Sequence, residues 1–183
     1  MKNFLVLIGM LFLTVQYSIA QKYFTKTAVV SFESSTPLEN IVGINKSGTC
    51  VVDFVTGNIE FAVLIKGFQF EKALMQEHFN ENYMESSKFS KANFKGKLIG
   101  FDKIVLTKNG KHKVKVDGKL TIHGVTKQHT SDVMMEVKDG KVISSTNFNV
   151  AVADYDISIP SLVKDNIAKN VAVSVQGTLE TLK

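Results

Sequence analysis

The sequence predicts an all-β fold of about eight antiparallel strands, with one or two short helices. Apolar and polar residues alternate with a period of two along most of the chain, as in strands that bury one face. Pairs containing glycine at residues 56–57, 109–110 and 139–140 separate these runs. Such pairs form tight hairpin turns because glycine permits positive φ. The two prolines both lie between runs, so the predicted strand ladders are uninterrupted.

Four of the alternating runs lie in the first part of the chain. They cover residues 23–32, 49–55, 58–66 and 92–99. The residues assigned to their apolar faces are Phe24, Ala28, Val30 and Phe32; Cys50, Val52 and Phe54; Ile59, Phe61, Val63 and Ile65; and Phe94, Gly96 and Leu98.

The second part of the chain supplies four more runs. They cover residues 113–124, 128–138, 142–152 and 171–179. Their apolar faces contain Val114, Val116, Gly118, Leu120, Ile122 and Gly124; Val133, Met135 and Val137; Phe148, Val150 and Val152; and Val171, Val173, Val175, Gly177 and Leu179.

Two segments interrupt the alternation and predict helices. Residues 36–39 (TPLE) combine a capping Thr, a Pro at the first helical position and a Glu at the third, which indicates a helix start. Residues 71–83 (EKALMQEHFNENY) place Leu74, Met75, His78 and Phe79 on one helical stripe. We expect this second helix to close one end of a barrel or to pack beside it.

The composition excludes several classes of protein. A chain of 183 residues with 44% hydrophobic and 21% charged residues is typical of one folded domain and not of a disordered chain. The single cysteine, Cys50, excludes an internal disulfide and a multi-cysteine zinc site. The net charge is +5, but the aromatic residues lie on the apolar faces and not among the lysines. Nucleic acid is therefore not an expected partner.

Residues 1–20 have the pattern of a secretory signal peptide. Lys2 precedes an apolar run at residues 4–15 (FLVLIGMLFLTV), and small residues follow up to Ala20. The run is shorter than the roughly 20 residues that span a bilayer. We therefore expect cleavage near Ala20 and a domain of residues 21–183 that is periplasmic or secreted. An uncleaved anchor is the alternative.

The mixture of large and small residues on the apolar faces bears on the interior. Phe94 is followed on its face by Gly96, and Val116 by Gly118. Eight strands can close into a barrel or stack as a sandwich. In a barrel, the small residues leave a channel lined by aromatic side chains, or they mark strand bends around a filled core. The pattern leaves these alternatives open.

Two short motifs resemble a known family. Residues 120–127 (LTIHGVTK) resemble the L-T-I-x-G-V-T-K segment of the YceI-like family, the bacterial polyisoprenoid-binding proteins. Residues 154–157 (DYDI), followed by Ile159 and Pro160, resemble its later D-Y-x-I segment, although Asp156 replaces a commoner glycine. The resemblance extends over residues 23–182. It implies a single eight-stranded lipocalin-like barrel with an apolar tunnel, in exported proteins of which some hold a long isoprenoid chain.

The predicted ligand-binding residues are apolar side chains that the alternation along each strand assigns to the inner face of the barrel. They would line a tunnel for the chain of an amphiphilic lipid, since burial contributes about 25 cal/mol per Å² of apolar surface without any polar partner. The alternative is an ordinary packed core. The set comprises Phe24, Phe32, Phe61, Val63, Phe94, Leu98, Val116, Leu120, Met135, Phe148, Val150 and Val173.

Two polar residues are predicted to face the same tunnel. His129 and Ser131 share parity with Val133, so they would hydrogen-bond the polar head of a ligand near one end. A solvated strand end is the alternative. His123 is assigned to the wet face. The four histidines lack the spacing of metal ligands, so no metal is expected.

Three other features have ordinary structural interpretations beside functional ones. Phe68 and Phe70, with the helix that follows them, form either a mouth or a seal of one barrel end. Cys50 is expected to be a buried small hydrophobic residue. Asp154 and Asp156 are expected to cap backbone N–H groups in a bend, rather than to form an acid–base pair.

The function predicted from these residues is binding without catalysis. We expect an exported carrier or store of an amphiphilic lipid, without catalytic residues and without a cofactor other than the bound lipid. A filled-barrel structural or interaction module is the alternative. An enzyme that uses the cavity, with His129 or Asp156 as acid or base, is a further one. Transient membrane contact and a homodimer are both left open.

Overall fold

The computed structural model describes residues 22–182, which form a closed antiparallel barrel. Each strand pairs with its neighbours in sequence, and the last pairs with the first. This confirms the predicted eight-stranded barrel and excludes the sandwich. The strands are β1 (Lys22–Ser35), β2 (Asn40–Asp53), β3 (Asn58–Leu64), β4 (Lys91–Ile99), β5 (Gly110–Ile122), β6 (Val125–Lys138), β7 (Lys141–Ala151) and β8 (Asn170–Thr181).

Short helical segments occupy the connections. The helix α1 (Ala73–His78) continues into a π-helical turn at Phe79–Tyr83. Among residues 22–182, four 3₁₀ turns lie at Ile65–Gly67, Phe101–Lys103, Val152–Tyr155 and Ser161–Val163. Within residues 22–182, none of these helices has the length and apolarity needed to cross a bilayer. The predicted signal peptide, residues 1–20, lies outside the described residues.

The connections give the barrel two unlike ends. Because the strands alternate in direction, the connections 36–39, 65–90, 123–124 and 152–169 lie at one end, here called the loop end. The connections 54–57, 100–109 and 139–140 lie at the other, here called the packed end. All the long irregular segments except 100–109 are therefore at the loop end.

The packed end is filled by side chains. Leu98, Val137 and Val142 are each at most 2% exposed. Tyr23 packs edge-on against Phe54, with 5.4 Å between the ring centroids. Apolar burial of this kind makes the packed end a conventional core.

The first predicted helix is wrong. Residues 36–39 form a tight loop in which Thr36 Oγ1 accepts hydrogen bonds from the backbone N–H groups of Leu38 (3.3 Å) and Glu39 (3.1 Å). The capping hydrogen bonds therefore form as the sequence indicates. No helix follows because β2 begins at Asn40 and pairs at once with β1.

The prediction that Phe24 faces inward is also wrong. The register between β1 and β2 shifts between Thr25 and Ala28, which is the effect of a β-bulge. As a result, Tyr23 and Thr25 are buried, and Phe24 lies on the outer face opposite Val51.

Gly96 and Gly118 bring two strands together and do not open a channel. They lie opposite each other in β4 and β5. A Cβ atom on Gly118 would collide with the backbone carbonyl of Lys95. One on Gly96 would lie 2.8 Å from Cζ of Phe94, whose ring covers the glycine. These positions therefore need glycine for close strand approach.

His123 is buried, contrary to the prediction that it lies on the wet face. It forms the two-residue β5–β6 turn with Gly124, and both have positive φ (50° and 77°). Its Nδ1 lies 3.1 Å from the carbonyl oxygen of Tyr155, and its Nε2 lies 3.0 Å from Oε2 of Glu85. The ring therefore joins three of the four loop-end connections.

Candidate functional site

The barrel encloses a cavity of about 270 Å³, close to the lower end of the roughly 300–1,000 Å³ range of ligand pockets. Its wall includes Phe68, Phe79, Ile157 and Ile167 from the loop-end connections. Among the described residues, none from a packed-end connection lines it. The cavity therefore opens toward the loop-end connections and stops short of the packed-end connections, although strand residues near the packed end, such as Ile59, also line it.

Ten of the twelve predicted apolar residues line this cavity. Phe24 does not, because it lies outside the barrel. Leu98 faces inward and is 2% exposed, but it belongs to the core of the packed end. The ten are Phe32, Phe61, Val63, Phe94, Val116, Leu120, Met135, Phe148, Val150 and Val173. Their role in binding a ligand stays a prediction.

An aromatic cluster covers the cavity at the loop end. Phe32 packs against Phe68, Phe70 and Phe79, with centroid distances of 5.5, 5.8 and 5.3 Å. The segment that carries Phe68 and Phe70 is fixed to β2 because the backbones of Gln69 and Ile44 exchange two hydrogen bonds (2.8 and 3.0 Å). The cluster thus forms part of the cavity wall.

The helix α1 faces the cavity with fewer residues than predicted. Met75, and Phe79 just beyond the helix, line the cavity, whereas Leu74 is 62% exposed. Adjacent helical residues lie about 100° apart around the axis. Since Met75 and Phe79 define the inner face, Leu74 is rotated toward solvent, and its assignment to the inner stripe is wrong.

Several lining residues were missed because they lie in irregular connections. In these segments the period of two does not operate, although the spacing of Ile157 and Ile159 around Ser158 was a usable signal. These missed residues are Tyr83, Met84, Ile157, Ile159 and Ile167. Ile41, at the start of β2, was also missed.

His129 and Ser131 both line the cavity. The His129 ring lies 4.5 Å from the ring of Phe148 and 6.1 Å from that of Phe94, measured between centroids. Its Nε2 atom is buried and has no hydrogen-bond partner among the described residues. Burial lowers the pKa of His129 below its usual value, so the ring is neutral at pH 7.

The cavity offers no acid–base pair within the described residues. Asp156 is not part of its wall and adopts a left-handed conformation (φ 54°) after the turn Val152–Tyr155. Asp154 forms an ion pair with Lys127 (Oδ1 to Nζ, 3.3 Å). Residues 22–182 also contain no cluster of three His, Cys, Asp or Glu side chains placed to hold a metal.

Cys50 is a free, buried cysteine whose side chain lines the cavity, and its burial raises the pKa of the thiol to about 12. Since only the thiolate is nucleophilic, we expect iodoacetamide at pH 8 to alkylate native Cys50 roughly a thousandfold more slowly than an exposed cysteine. Mass spectrometry over a time course measures this rate, and the urea-unfolded protein is the control. Complete labelling of the native protein within minutes would contradict the burial.

The family model described as the YceI-like domain matches residues 22–179, which include all eight strands almost to the end of β8. The chain belongs to the YceI-like family.

Three solved structures share the YceI-like barrel fold. A polyisoprenoid-binding domain from Saccharophagus degradans, implicated in plant cell wall breakdown, has 13% identity and a TM-score of 0.75, over 89% of this chain and 99% of that one. BcnA of Burkholderia cenocepacia has 15% identity and a TM-score of 0.69, over 84% and 96%. The YceI protein of Campylobacter jejuni has 17% identity and a TM-score of 0.55, and the match covers 100% of this chain and 99% of that one. A search of curated protein sequences gave no match.

Proposed function

We propose that this YceI-like barrel binds the apolar chain of an amphiphilic lipid, of the polyisoprenoid class, and carries or stores it without chemical change. The observation that carries the proposal is the wall of the cavity. Ten inward side chains predicted as a lipid tunnel lie on it, and among the described residues no lysine, aspartate or glutamate does. A similar fold is described as a polyisoprenoid-binding domain in Saccharophagus degradans, which supports the same ligand class.

The physical driving force is removal of the chain from water. Each buried methylene contributes about 0.8 kcal/mol, so a five-carbon isoprene unit contributes up to about 4 kcal/mol before entropic costs. An apolar wall suits such a chain because the chain has no polar groups to satisfy along its length. The cavity also argues against the alternative of a filled barrel.

Export is part of the proposal. The signal-peptide pattern of residues 1–20 supports a location in the periplasm or outside the cell, where a lipid chain needs a carrier to cross water. Loading requires transient contact with a membrane. The loop end is the side proposed for this contact because the cavity reaches the connections there. A homodimer stays a prediction.

A transfer assay tests the proposal. The protein is incubated with phosphatidylethanolamine–phosphatidylglycerol vesicles that contain a radiolabelled polyprenol, the vesicles are removed by centrifugation, and the label in the protein fraction is counted. We expect saturation near one lipid per chain. Ala92 lies on the cavity wall. In Ala92→Phe the larger side chain should occupy part of the cavity and reduce the label severalfold. Absence of transfer, or equal transfer to both proteins, would overturn the proposal.

A further inference from the structure

The strands β6 and β7 separate toward the loop end. In the part of the chain that the structure describes, they pair only from Met134 with Ser145 to Lys138 with Lys141. Each strand nevertheless pairs with its other neighbour up to its loop-end terminus, β6 with β5 and β7 with β8. The barrel wall therefore has a gap between residues 125–133 of β6 and residues 146–151 of β7, here called the β6–β7 gap.

A similar separation on the other side of the barrel is sealed by the chain itself. The strands β2 and β3 pair only at Thr49 to Val52 of β2. Nearer the loop end than this pairing, Asn45 Nδ2 donates a hydrogen bond to the carbonyl oxygen of Leu64 (2.9 Å), and the backbone of Gln69 pairs with that of Ile44. No comparable backbone segment among residues 22–182 pairs across the β6–β7 gap.

Side-chain contacts bound the β6–β7 gap at both ends. Thr146 Oγ1 donates a hydrogen bond to the carbonyl oxygen of Asp132 (2.7 Å) at the end near mid-barrel. The ion pair between Lys127 and Asp154 spans it at the loop end. Between these contacts, the His129 ring on β6 lies 4.5 Å from a phenyl ring on β7, measured between centroids, and both rings line the cavity. The gap is thus a window of limited length with these two rings on its cavity side.

Three of the polar side chains that line the cavity lie at this window, whereas others, such as Ser34 on β1 and Asn93 on β4, line it elsewhere. His129 and Ser131 lie on β6, and Thr146 lies on β7 with its Oγ1 3.4 Å from Oγ of Ser131. The His129 Nε2 is buried without a partner among the described residues. An unpaired buried polar group is unfavourable, and each one in a native structure requires an explanation.

The charges around the window favour an uncharged partner. No charged side chain of the described residues lines the cavity, and Lys127 and Asp154 at the rim neutralise each other. The neutral His129 ring offers one hydrogen-bond donor and one acceptor. A hydroxyl group can donate a hydrogen bond to Nε2 when this nitrogen carries no proton, and it can accept one when the nitrogen is protonated. A phosphate, by contrast, would be buried without a counter-charge.

We propose that the ligand lies with its polar end in the β6–β7 gap, where an uncharged hydroxyl or carbonyl head hydrogen-bonds His129 Nε2. The apolar chain then extends into the cavity. This inference rests on the proposed function and adds to it the class of head group and the place where that group binds.

Affinities of three C20 ligands test the inference: geranylgeraniol, the hydrocarbon with the same carbon skeleton, and geranylgeranyl phosphate. Each is measured by displacement of bound Nile red from the wild type and from His129→Phe. The control is His112→Phe, the same substitution at a residue that does not line the cavity. We expect the wild type and the control to bind the alcohol roughly five- to tenfold more tightly than the hydrocarbon or the phosphate. His129→Phe should lose this preference and keep its affinity for the hydrocarbon.

The outcomes separate this inference from the proposed function. Equal affinity for the alcohol and the hydrocarbon in the wild type overturns the inference and leaves lipid binding intact. If the phosphate binds more tightly than the alcohol, the proposal of an uncharged head group is overturned. If His129→Phe still prefers the alcohol over the hydrocarbon, the proposed role of His129 is overturned. Failure of all three ligands to bind overturns both proposals. If circular dichroism shows that His129→Phe is unfolded, His129→Leu replaces it.

Discussion

Phe61→Glu is expected to reduce the lipid that co-purifies with the protein at least tenfold. Phe61 lines the cavity and packs against the buried apolar side chains of the barrel interior. A carboxylate at this position has no counter-charge on the wall. It either draws water into the cavity or becomes neutral at a cost of several kcal/mol. Organic extraction followed by mass spectrometry measures the lipid per mole of protein.

The matched control for this substitution is Phe24→Glu. It makes the same chemical change on the outer face of the barrel, where Phe24 lies opposite Val51, so its lipid content should equal that of the wild type. Equal lipid content in Phe61→Glu and Phe24→Glu would show that the cavity is not the binding site. If Phe61→Glu does not fold, Ala92→Phe tests the same cavity without a charge.

Leu98→Ala is expected to lower the free energy of unfolding by about 2–5 kcal/mol, because it removes a fully buried side chain from the core of the packed end. The lipid content of the folded variant should not change, since Leu98 does not line the cavity. Urea unfolding followed by circular dichroism measures the stability.

Leu64→Ala is the control for the stability measurement. Leu64 is 60% exposed, so its truncation should alter the free energy of unfolding by no more than about 0.5 kcal/mol. A loss below about 1 kcal/mol in Leu98→Ala, or a loss of lipid from it, would contradict the division into a packed end and a cavity.

The alternation of the sequence predicts the cavity wall wherever the strands pair regularly. Val116, Leu120 and Phe148 were assigned correctly because their strands keep one register with at least one neighbour along their length. Phe24 was misassigned because the bulge that reverses its orientation depends on pairing with β2. Leu98 shows a second limit: parity gives the face of a strand but not the height in the barrel at which a cavity ends.

Local signals also fail where distant contacts decide the structure. The capping pattern of Thr36 forms its hydrogen bonds, but pairing of β2 with β1 leaves no length for a helix. His123 looked solvent-exposed from its strand parity, yet Glu85 and Tyr155, both more than thirty residues away, hold it buried. The β6–β7 gap was equally inaccessible from the sequence, because the sequence does not show where two neighbouring strands stop pairing.

The most direct test of lipid binding in the cavity is native mass spectrometry of the protein purified without detergent, combined with organic extraction. We expect a discrete added mass on the chain, which extracts as an uncharged prenyl lipid and is absent from Phe61→Glu. A bare chain mass that persists after incubation with polyprenol-containing vesicles would contradict lipid binding in the cavity.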